Sequence, residues 1–347
     1  RGDWHDLLQE LSAEIDMTSD QARKVSLALL RGTVYRDQLE DYPKAVACFE
    51  SVLAEPTGRV PGLMALERLY PRIGDFDKLA ATYRAIADVT TDRQAKLAAL
   101  RELTRVMETH GVGSRERLQA TYEELLELVP GDLFSLERLE DLARTGNDPV
   151  LAERVYLQLA EVTDEPPLRA HYLTLLATAM EAQQNFRAID IYRRAIEEDQ
   201  EQLAAVRGLA RLAEGLGDAG ALADASRLEA EQTSDPTIAA KLYVRSASLR
   251  IGTDLDGGLS DLRHALGLHP EVESAANQLA TALTEANRLG ELIADLSGAA
   301  RACKSNSRAA ELWLQVATIQ ADLGRHASGI TSLQRGLSAR ADHVPSL

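Results

Sequence analysis

The sequence contains little cysteine and few aromatic residues. Only Cys48 and Cys303 occur among its 347 residues, and Phe, Trp and Tyr together make up 4%. Two cysteines so far apart exclude a disulfide-rich scaffold and the paired-cysteine motifs of zinc and redox sites. The shortage of aromatic residues, beside abundant Leu and Ala, favours helices over strands.

Positive charge is also scarce. Lys and Arg number 38 against 54 Asp and Glu, which gives a net charge of −16. Because nucleic-acid binding depends on clustered Lys and Arg, this balance disfavours nucleic acid as a partner. No apolar run reaches the roughly 20 residues of a membrane span, and no N-terminal signal pattern is present. We therefore expect no membrane span and, with lone cysteines, a cytoplasmic location.

Motifs that carry chemistry are missing as well. The chain has no P-loop, HExxH, GxSxG, EF-hand or GxGxxG pattern. Gly111-Val112-Gly113 begins like the last of these but lacks the third glycine, so it predicts a turn. His264 and His269 are five residues apart and do not share a helix face, which argues against a metal pair. We expect no enzyme, no metal site and no cofactor.

An internal repeat is present instead. Clusters of helix-capping residues recur every 70 to 73 residues, each followed by a Leu- and Ala-rich stretch. Ser, Thr, Asp and Asn accept hydrogen bonds from the free N–H groups of a helix start, and Pro fits the first turn. Each cluster therefore predicts a helix start. The clusters are Thr18-Ser19-Asp20, Thr90-Thr91-Asp92, Thr163-Asp164-Glu165-Pro166, Thr233-Ser234-Asp235-Pro236 and Ser305-Asn306-Ser307.

Core leucines confirm this period. Leu69 recurs as Leu139, 70 residues later, and Leu209 and Leu279 continue the spacing. Within a unit, Ala45 before Phe49 matches Leu79 before Tyr83 at an offset of 34 residues. Each unit therefore holds two helix pairs, and we name the first helix of a pair helix A and the second helix B. Helix A is predicted to be long near 20–36, 92–110, 166–182, 235–251 and 306–323, and short near 60–73, 132–144, 201–215 and 272–286.

The 34-residue spacing carries a family resemblance. Leu63, Leu66, Tyr70 and Gly74 fit helix A of the tetratricopeptide repeat (TPR), and Ala45, Phe49 and Pro56 fit helix B. Leu118, Tyr122 and Pro130 repeat the helix-B match, whereas Glu67 and Glu137 depart from the small residue of helix A. Ser226, Leu262 and Leu296 replace the helix-B aromatic in later repeats. The chain thus resembles the TPR family, and the alternating repeat lengths resemble the long arrays of large bacterial proteins.

This resemblance implies an all-α fold, a right-handed α-solenoid of about nine TPR-like helix pairs in a two-TPR super-repeat of 70–73 residues. We expect residues 1–347 to form one solenoid. Its repeats are predicted near 1–16 (partial), 20–56, 60–89, 92–130, 132–161, 166–198, 201–230, 235–270, 272–302 and 306–340.

Both ends of the sequence match interior parts of a repeat. Gly2-Asp3-Trp4 matches Gly74-Asp75-Phe76 at the start of a helix B, and Val344-Pro345-Ser346-Leu347 resembles Val60-Pro61-Gly62-Leu63. Natural solenoids end in polar caps, and neither end shows one. We expect a fragment of a longer array, whose uncapped ends could mediate self-association.

The resemblance implies a non-catalytic scaffold that binds a partner protein or peptide on its concave helix-A face. The motif places eight residues on that face. They are Met64, Arg68, Phe134, Arg138, Asp141, Arg211, Gln278 and Thr281. Arginines paired with nearby Glu on a solvated face are the alternative interpretation of this stripe. The Lys/Asn clamp by which some TPR proteins grip a C-terminal carboxylate is absent from the corresponding positions. Two alternative functions stay open, namely a self-assembling structural array and a recruitment module of a larger signalling or enzymatic protein.

Overall fold

The computed structural model describes residues 4–340, in which every regular element is an α-helix. Nineteen helices lie in this part of the chain. They are α1 (Trp4–Met17), α2 (Gln21–Asp37), α3 (Tyr42–Ser51), α4 (Pro56–Ile73), α5 (Phe76–Val89), α6 (Arg93–His110), α7 (Arg115–Leu128), α8 (Leu133–Gly146), α9 (Pro149–Val162), α10 (Pro166–Ala182), α11 (Ala188–Glu198), α12 (Leu203–Leu216), α13 (Ala219–Gln232), α14 (Pro236–Arg250), α15 (Leu255–Leu268), α16 (Glu273–Glu285), α17 (Leu289–Ala302), α18 (Asn306–Asp322) and α19 (His326–Ala339).

The helices form two compact units, Arg1–Leu151 (unit 1) and Ala152–Leu347 (unit 2). Within each unit, consecutive helices pack against each other, and some helix A segments also contact the next helix A, as α2 does with α4 and α10 with α12. The fold is therefore an α-solenoid built from helix pairs, as predicted. Between residues 4 and 340, α1 precedes nine pairs, α2/α3 to α18/α19. The continuity of one array over 1–347, its repeat bounds and its right-handedness stay predictions.

The capping clusters start helices as predicted. The side chains of Asp20, Asp92 and Asp235 each accept a hydrogen bond from a backbone N–H in the first turn of α2, α6 and α14. Ser305 does the same for α18, whereas α10 begins on Pro166 after Glu165, which makes no side-chain cap bond. Four of the five clusters thus act through a side-chain cap, and the fifth acts through proline.

Residues with positive φ angles separate helix A from helix B in several pairs. Gly74 and Gly217 adopt positive φ angles of 73° and 71°, as expected for turns between helix A and helix B. At Gly146-Asn147, however, the left-handed residue is Asn147 (φ 51°), and α9 is capped by Asp148, which accepts from Val150 and Leu151. Asn tolerates this conformation because its short polar side chain makes local hydrogen bonds.

The prediction for α4 was also wrong at its start. The helix begins at Pro56, four residues before the predicted 60, and has 18 residues, so it is not one of the short helix A segments. Pro56 occupies the first turn of α4, where its missing N–H costs nothing. The sequence interpretation had assigned this proline to the end of the preceding helix B.

Leucines at the 70-residue spacing form the core. Leu69, Leu139, Leu209 and Leu279 are 0%, 1%, 2% and 0% exposed. Leu63, Leu66 and Tyr70 share the buried stripe of α4, whereas Ile73, the last residue of the helix, is 39% exposed.

The sequence-based comparisons of the chain ends involve residues outside 4–340. Gly2-Asp3 and Val344-Pro345-Ser346-Leu347 both lie outside the described residues.

Candidate partner-binding face

All eight predicted residues lie on helix A segments. Met64 and Arg68 belong to α4, and Phe134, Arg138 and Asp141 belong to α8, all within unit 1. In unit 2, α12 carries Arg211 and α16 carries Gln278 and Thr281. The predicted stripe therefore consists of two separate groups, which we describe in turn.

In unit 1, α8 and the neighbouring helices form an aromatic and charged cluster. The Arg138 guanidinium lies 5.2 Å from the centroid of the Phe134 ring, and its nitrogens lie 3.8 Å from Glu108 and 3.7 Å from Asp141. The Tyr122 hydroxyl donates a 2.7 Å hydrogen bond to Glu108. Burial and this neighbouring carboxylate raise the pKa of Tyr122, so the phenol stays protonated and continues to donate.

Unit 2 repeats this arrangement with a closer Arg–Glu pair. The Tyr192 hydroxyl donates to Glu181 over 3.0 Å, and Arg211 donates to both oxygens of that carboxylate over 2.9 and 2.7 Å. The Arg211 hydrogen bonds lower the pKa of Glu181. Two parallel N–H···O bonds fix the guanidinium plane, so Arg211 is committed to this contact.

These contacts belong to a recurring set that we call the helix-A ladder, in which a polar side chain on one helix A forms a hydrogen bond or an ion pair with a side chain on the next. Glu108–Arg138, Glu181–Arg211, Glu214–Arg245 and Ser248–Gln278 are its members, and the partners are 30 or 31 residues apart. Arg245 donates to Glu214 over 2.9 Å, and the Ser248 hydroxyl donates to the Gln278 side-chain oxygen over 3.0 Å. Each contact joins consecutive helix pairs of one unit.

The ladder also relates two positions on the same helix. On α12, Arg211 faces back to α10 and Glu214, three residues later, faces forward to α14. On α14, Arg245 and Ser248 repeat this pattern. Asp141 and Thr281 lie three residues after Arg138 and Gln278. Asp141 pairs with Arg144 over 2.6 Å and Thr281 bonds to the Asn277 carbonyl of its own helix.

Arg68 differs from the other two predicted arginines. It is exposed, and no ion pair or side-chain hydrogen bond is formed by it within residues 4–340. Met64, one turn earlier on α4, is 51% exposed, as is Phe134 at the equivalent position of α8. Unit 1 therefore presents an uncommitted cation one helical turn from the exposed Met64 on α4, and a second exposed apolar side chain, Phe134, on α8.

In unit 2, Gln278 and Thr281 line a shallow cavity of about 380 Å³ that is widely open to solvent. Ser248, Asn277 and Glu285 contribute polar walls, and Ile251 and Ala282 contribute apolar ones. Because the Gln278 oxygen accepts from Ser248, its NH₂ group remains the part that can donate to an occupant. Neighbouring amide and hydroxyl groups offer both donors and acceptors, as a peptide backbone requires.

Over residues 4–340, no group of three or more His, Cys, Asp or Glu side chains is arranged to hold a metal ion. The same part of the chain includes no helix that is both long and apolar enough to span a membrane.

No family model matches the chain, and no curated protein matches it. Matches occur among solved structures, and those described here are of TPR proteins. The chain resembles the TPR proteins.

Three of these structures illustrate the likeness. YrrB, "a TPR protein with an unusual peptide-binding site", is 15% identical, with 55% of this chain and 95% of that chain covered and a TM-score of 0.28. The TPR2AB-domain:pHSP90 complex of yeast Sti1 is 14% identical over 76% of this chain and 98% of that one, with a TM-score of 0.32. The C-terminal part of a TPR repeat-containing protein from Cytophaga hutchinsonii is 14% identical over 75% and 99%, with a TM-score of 0.31.

Sequence reasoning missed the ladder of this TPR-like array. The TPR motif places Arg138, Arg211 and Gln278 on the helix-A face, but it does not identify the side chains with which they form ion pairs or hydrogen bonds. A signal was available, because Glu108 and Glu181 each lie 30 residues before an arginine. That interval relates facing positions on consecutive helix A segments, and a search for opposite charges at this spacing would have found both pairs.

Proposed function

We propose that this chain is a non-catalytic protein–protein interaction scaffold that binds a partner protein or peptide on its helix-A face. In unit 1, the binding surface consists of Met64, Arg68 and Phe134. The observation that carries the proposal is the exposure of Met64 and Phe134, each 51%, at equivalent positions of two helix A segments. Large side chains that remain exposed beside an unpaired cation are typical of binding surfaces.

The chemistry of these residues defines the partner. Met64 is flexible and polarizable and adapts to irregular apolar surfaces. Phe134 presents a ring already covered on one side by Arg138. Arg68 can form two parallel hydrogen bonds to a carboxylate, since its five donors are not used within the described residues. The partner segment is therefore apolar, with at least one acidic residue that reaches Arg68.

The cavity in unit 2 extends this proposal. Gln278, Asn277 and Thr281 supply the donors and acceptors for a main chain, and Ile251 supplies an apolar contact. In this function Arg138 and Arg211 stabilise the helix-A face and do not themselves bind the partner. We propose a cytoplasmic location for this activity, on the basis of the two free cysteines.

The test is an affinity pull-down from source-cell extract with the full chain as bait. The Met64→Ser/Arg68→Glu variant removes the exposed apolar group and reverses the unpaired charge. The matched control is Ile330→Ser/Arg301→Glu, which makes the same kind of change on helix B segments of unit 2, where Ile330 is 57% exposed and Arg301 is exposed.

We expect a partner that the wild type and the control retain and that Met64→Ser/Arg68→Glu loses. With the purified partner, the affinity of that variant should fall by about 30-fold or more, as for loss of a hot spot worth roughly 2 kcal/mol. A partner held equally by all three baits would reject this face. Recovery of the bait alone would favour the self-assembling array.

A further inference from the structure

A second surface lies between two consecutive helix B segments of unit 1, away from Met64, Arg68 and Phe134. A cavity of about 210 Å³ is enclosed by α5, α6 and α7. Its floor consists of Leu103 and Met107 of α6, which are 4% and 6% exposed. Ala80 and Ala81 of α5 and Ala120 of α7 form its walls.

Small residues create the space. Alanine at 80, 81 and 120 leaves a gap between α5 and α7 that larger side chains would fill. Gly113 contributes in the same way, since a Cβ atom there would lie 2.8 Å from the Met107 methyl carbon. Gly113 also has a φ angle of 81°, which other residues rarely adopt, so both its conformation and its lack of a side chain keep this edge open.

Some charged side chains around the cavity are paired with each other, and others are not. Arg84 and Glu124 are already paired, because Arg84 bonds to both Glu124 and Asp88, and Lys96 lies 2.7 Å from Glu124. Asp77 of α5 and Arg117 of α7 also line the cavity, but they are not paired in this way. Within residues 4–340 neither side chain makes an ion pair or hydrogen bond, and both residues are exposed.

We propose that this cavity binds a segment of a partner protein that inserts one large aliphatic side chain between a basic and an acidic residue of its own. The size fits one side chain, because 210 Å³ is about seven water volumes and lies below the roughly 300 Å³ at which small-molecule sites begin. The charges give the flanking residues. A cation of the segment pairs with Asp77, and a carboxylate of the segment pairs with Arg117.

The site is independent of the proposed function. It opens between helix B segments, whereas Met64, Arg68 and Phe134 lie on helix A segments. An array with both surfaces would hold two partner segments at once.

The experiment selects random 12-residue peptides displayed on phage against the full 347-residue chain. Ala120→Leu fills the cavity mouth at an exposed helix position, where leucine is compatible with helix formation. Ala13→Leu makes the same change at an exposed position of α1 and serves as the control. Thermal unfolding followed by circular dichroism checks that both variants are folded.

We expect the wild type and Ala13→Leu to enrich peptides with Leu, Ile or Met between a basic and an acidic residue. A synthetic peptide of this type should lose at least tenfold in affinity for Ala120→Leu. It should also bind Asp77→Lys/Arg117→Glu weakly, and exchange of the two peptide charges should restore that binding.

Three outcomes would overturn the inference. One is that no enriched peptide is sensitive to Ala120→Leu, and another is that the charge exchange has no effect. The third is wild-type self-association that Ala120→Leu abolishes in sedimentation, which would make a second copy the occupant. Peptides that no longer bind the Met64→Ser/Arg68→Glu variant but still bind Ala120→Leu would support the helix-A face and reject this cavity. The two proposals can therefore fail separately.

Discussion

At the scale of single residues, close packing between consecutive helix pairs depends on a position that has no side chain. Gly208 on α12 faces Tyr192 of α11, and a Cβ atom at Gly208 would lie 2.4 Å from the tyrosine ring. Tyr192 is fully buried and donates its hydroxyl hydrogen to Glu181. A glycine in the middle of a helix, which costs stability in isolation, here permits a buried aromatic ring and its hydrogen bond.

We therefore expect Gly208→Ala to destabilise the protein by about 1–3 kcal/mol, because the added methyl group forces Tyr192 to move. Gly215→Ala on the same helix is the matched control. Nothing lies within 4 Å of the Cβ position there, so alanine should stabilise by about 0.5–1 kcal/mol. Urea unfolding measures both values, and equal effects of the two changes would contradict the packing argument.

Arg138 and Arg211 provide a second comparison. Arg211 makes two hydrogen bonds to Glu181 at 2.9 and 2.7 Å, while Arg138 approaches Glu108 only to 3.8 Å. We expect Arg211→Met to cost about 0.5–1.5 kcal/mol, because Arg211 is itself largely exposed, and Arg138→Met to cost less than about 0.5 kcal/mol. Chemical denaturation of each variant tests the order, and a larger loss for Arg138→Met would refute it.

At the scale of helices, α5, α6 and α7 are joined by an ion-pair group. Glu124 of α7 accepts from Arg84 of α5 and lies 2.7 Å from Lys96 of α6, so one carboxylate links three helices. The Arg84 hydrogen bond, with Lys96, lowers the pKa of Glu124 from an ordinary 4.5 to about 2. Because the folded state binds its proton less readily than the unfolded state does, the stabilising effect of Glu124 is complete above pH 4.5 and is lost as the pH falls toward 2.

Glu124→Gln should therefore cost about 1 kcal/mol at pH 7 and nothing near pH 2. The measurement is the urea midpoint of wild type and variant from pH 7 to pH 2.5. We expect the difference between the two curves to narrow progressively below pH 4.5, because Glu124 then binds a proton in the unfolded state first and in the folded state only near pH 2. A difference that does not change with pH would show that the variant acts through packing and not through this charge.

Much of the element structure was predictable, for a local reason. Helix starts at Asp20, Asp92 and Asp235 follow from side chains that bond two or three residues ahead, so the cause lies within the same short segment. Pro56 shows the limit. A proline can follow one helix or open the next, and its assignment to α4 depends on tertiary contacts such as the close approach of Gly58 to Val52.

The candidate site was less predictable than the fold. The motif placed eight residues on helix A, but it could not separate uncommitted side chains from paired ones. Arg68 and Arg138 occupy equivalent sequence positions, yet only Arg138 has an acceptor on the preceding helix A. The cavity near Ala120 has no sequence motif that would predict it, because the gap results from alanines on α5 and α7 and from one glycine that precedes α7.

At the scale of the whole molecule, interactions are predominantly between neighbouring pairs. Helices contact the next helix and, in places, the next but one, so the stability of each unit is a sum of local terms. Equivalent leucines stay buried in both units, as expected if each 70-residue period holds two TPR pairs. Local perturbations should therefore remain local.

Removing one helix cap tests this locality. Asp92→Ala deletes the bonds to Gln94 and Ala95 at the start of α6 and should cost about 1 kcal/mol. Hydrogen exchange monitored by mass spectrometry should show faster exchange in α5, α6 and α7 and no change in α14 to α17. Asp235→Ala, which removes the cap of α14, should give the reverse pattern. Faster exchange throughout the chain in either variant would show a single cooperative unit.

The helix-A ladder has a mechanical consequence. Since each contact joins a residue to another only 30 or 31 positions away, tension on the two termini would break the contacts in succession and not all together. Release of one 34-residue pair would lengthen the chain by about 110–120 Å, less the size of the folded pair. Stretched between optical traps, the protein should yield in small, evenly spaced steps, and refold in similar steps when the force is relaxed.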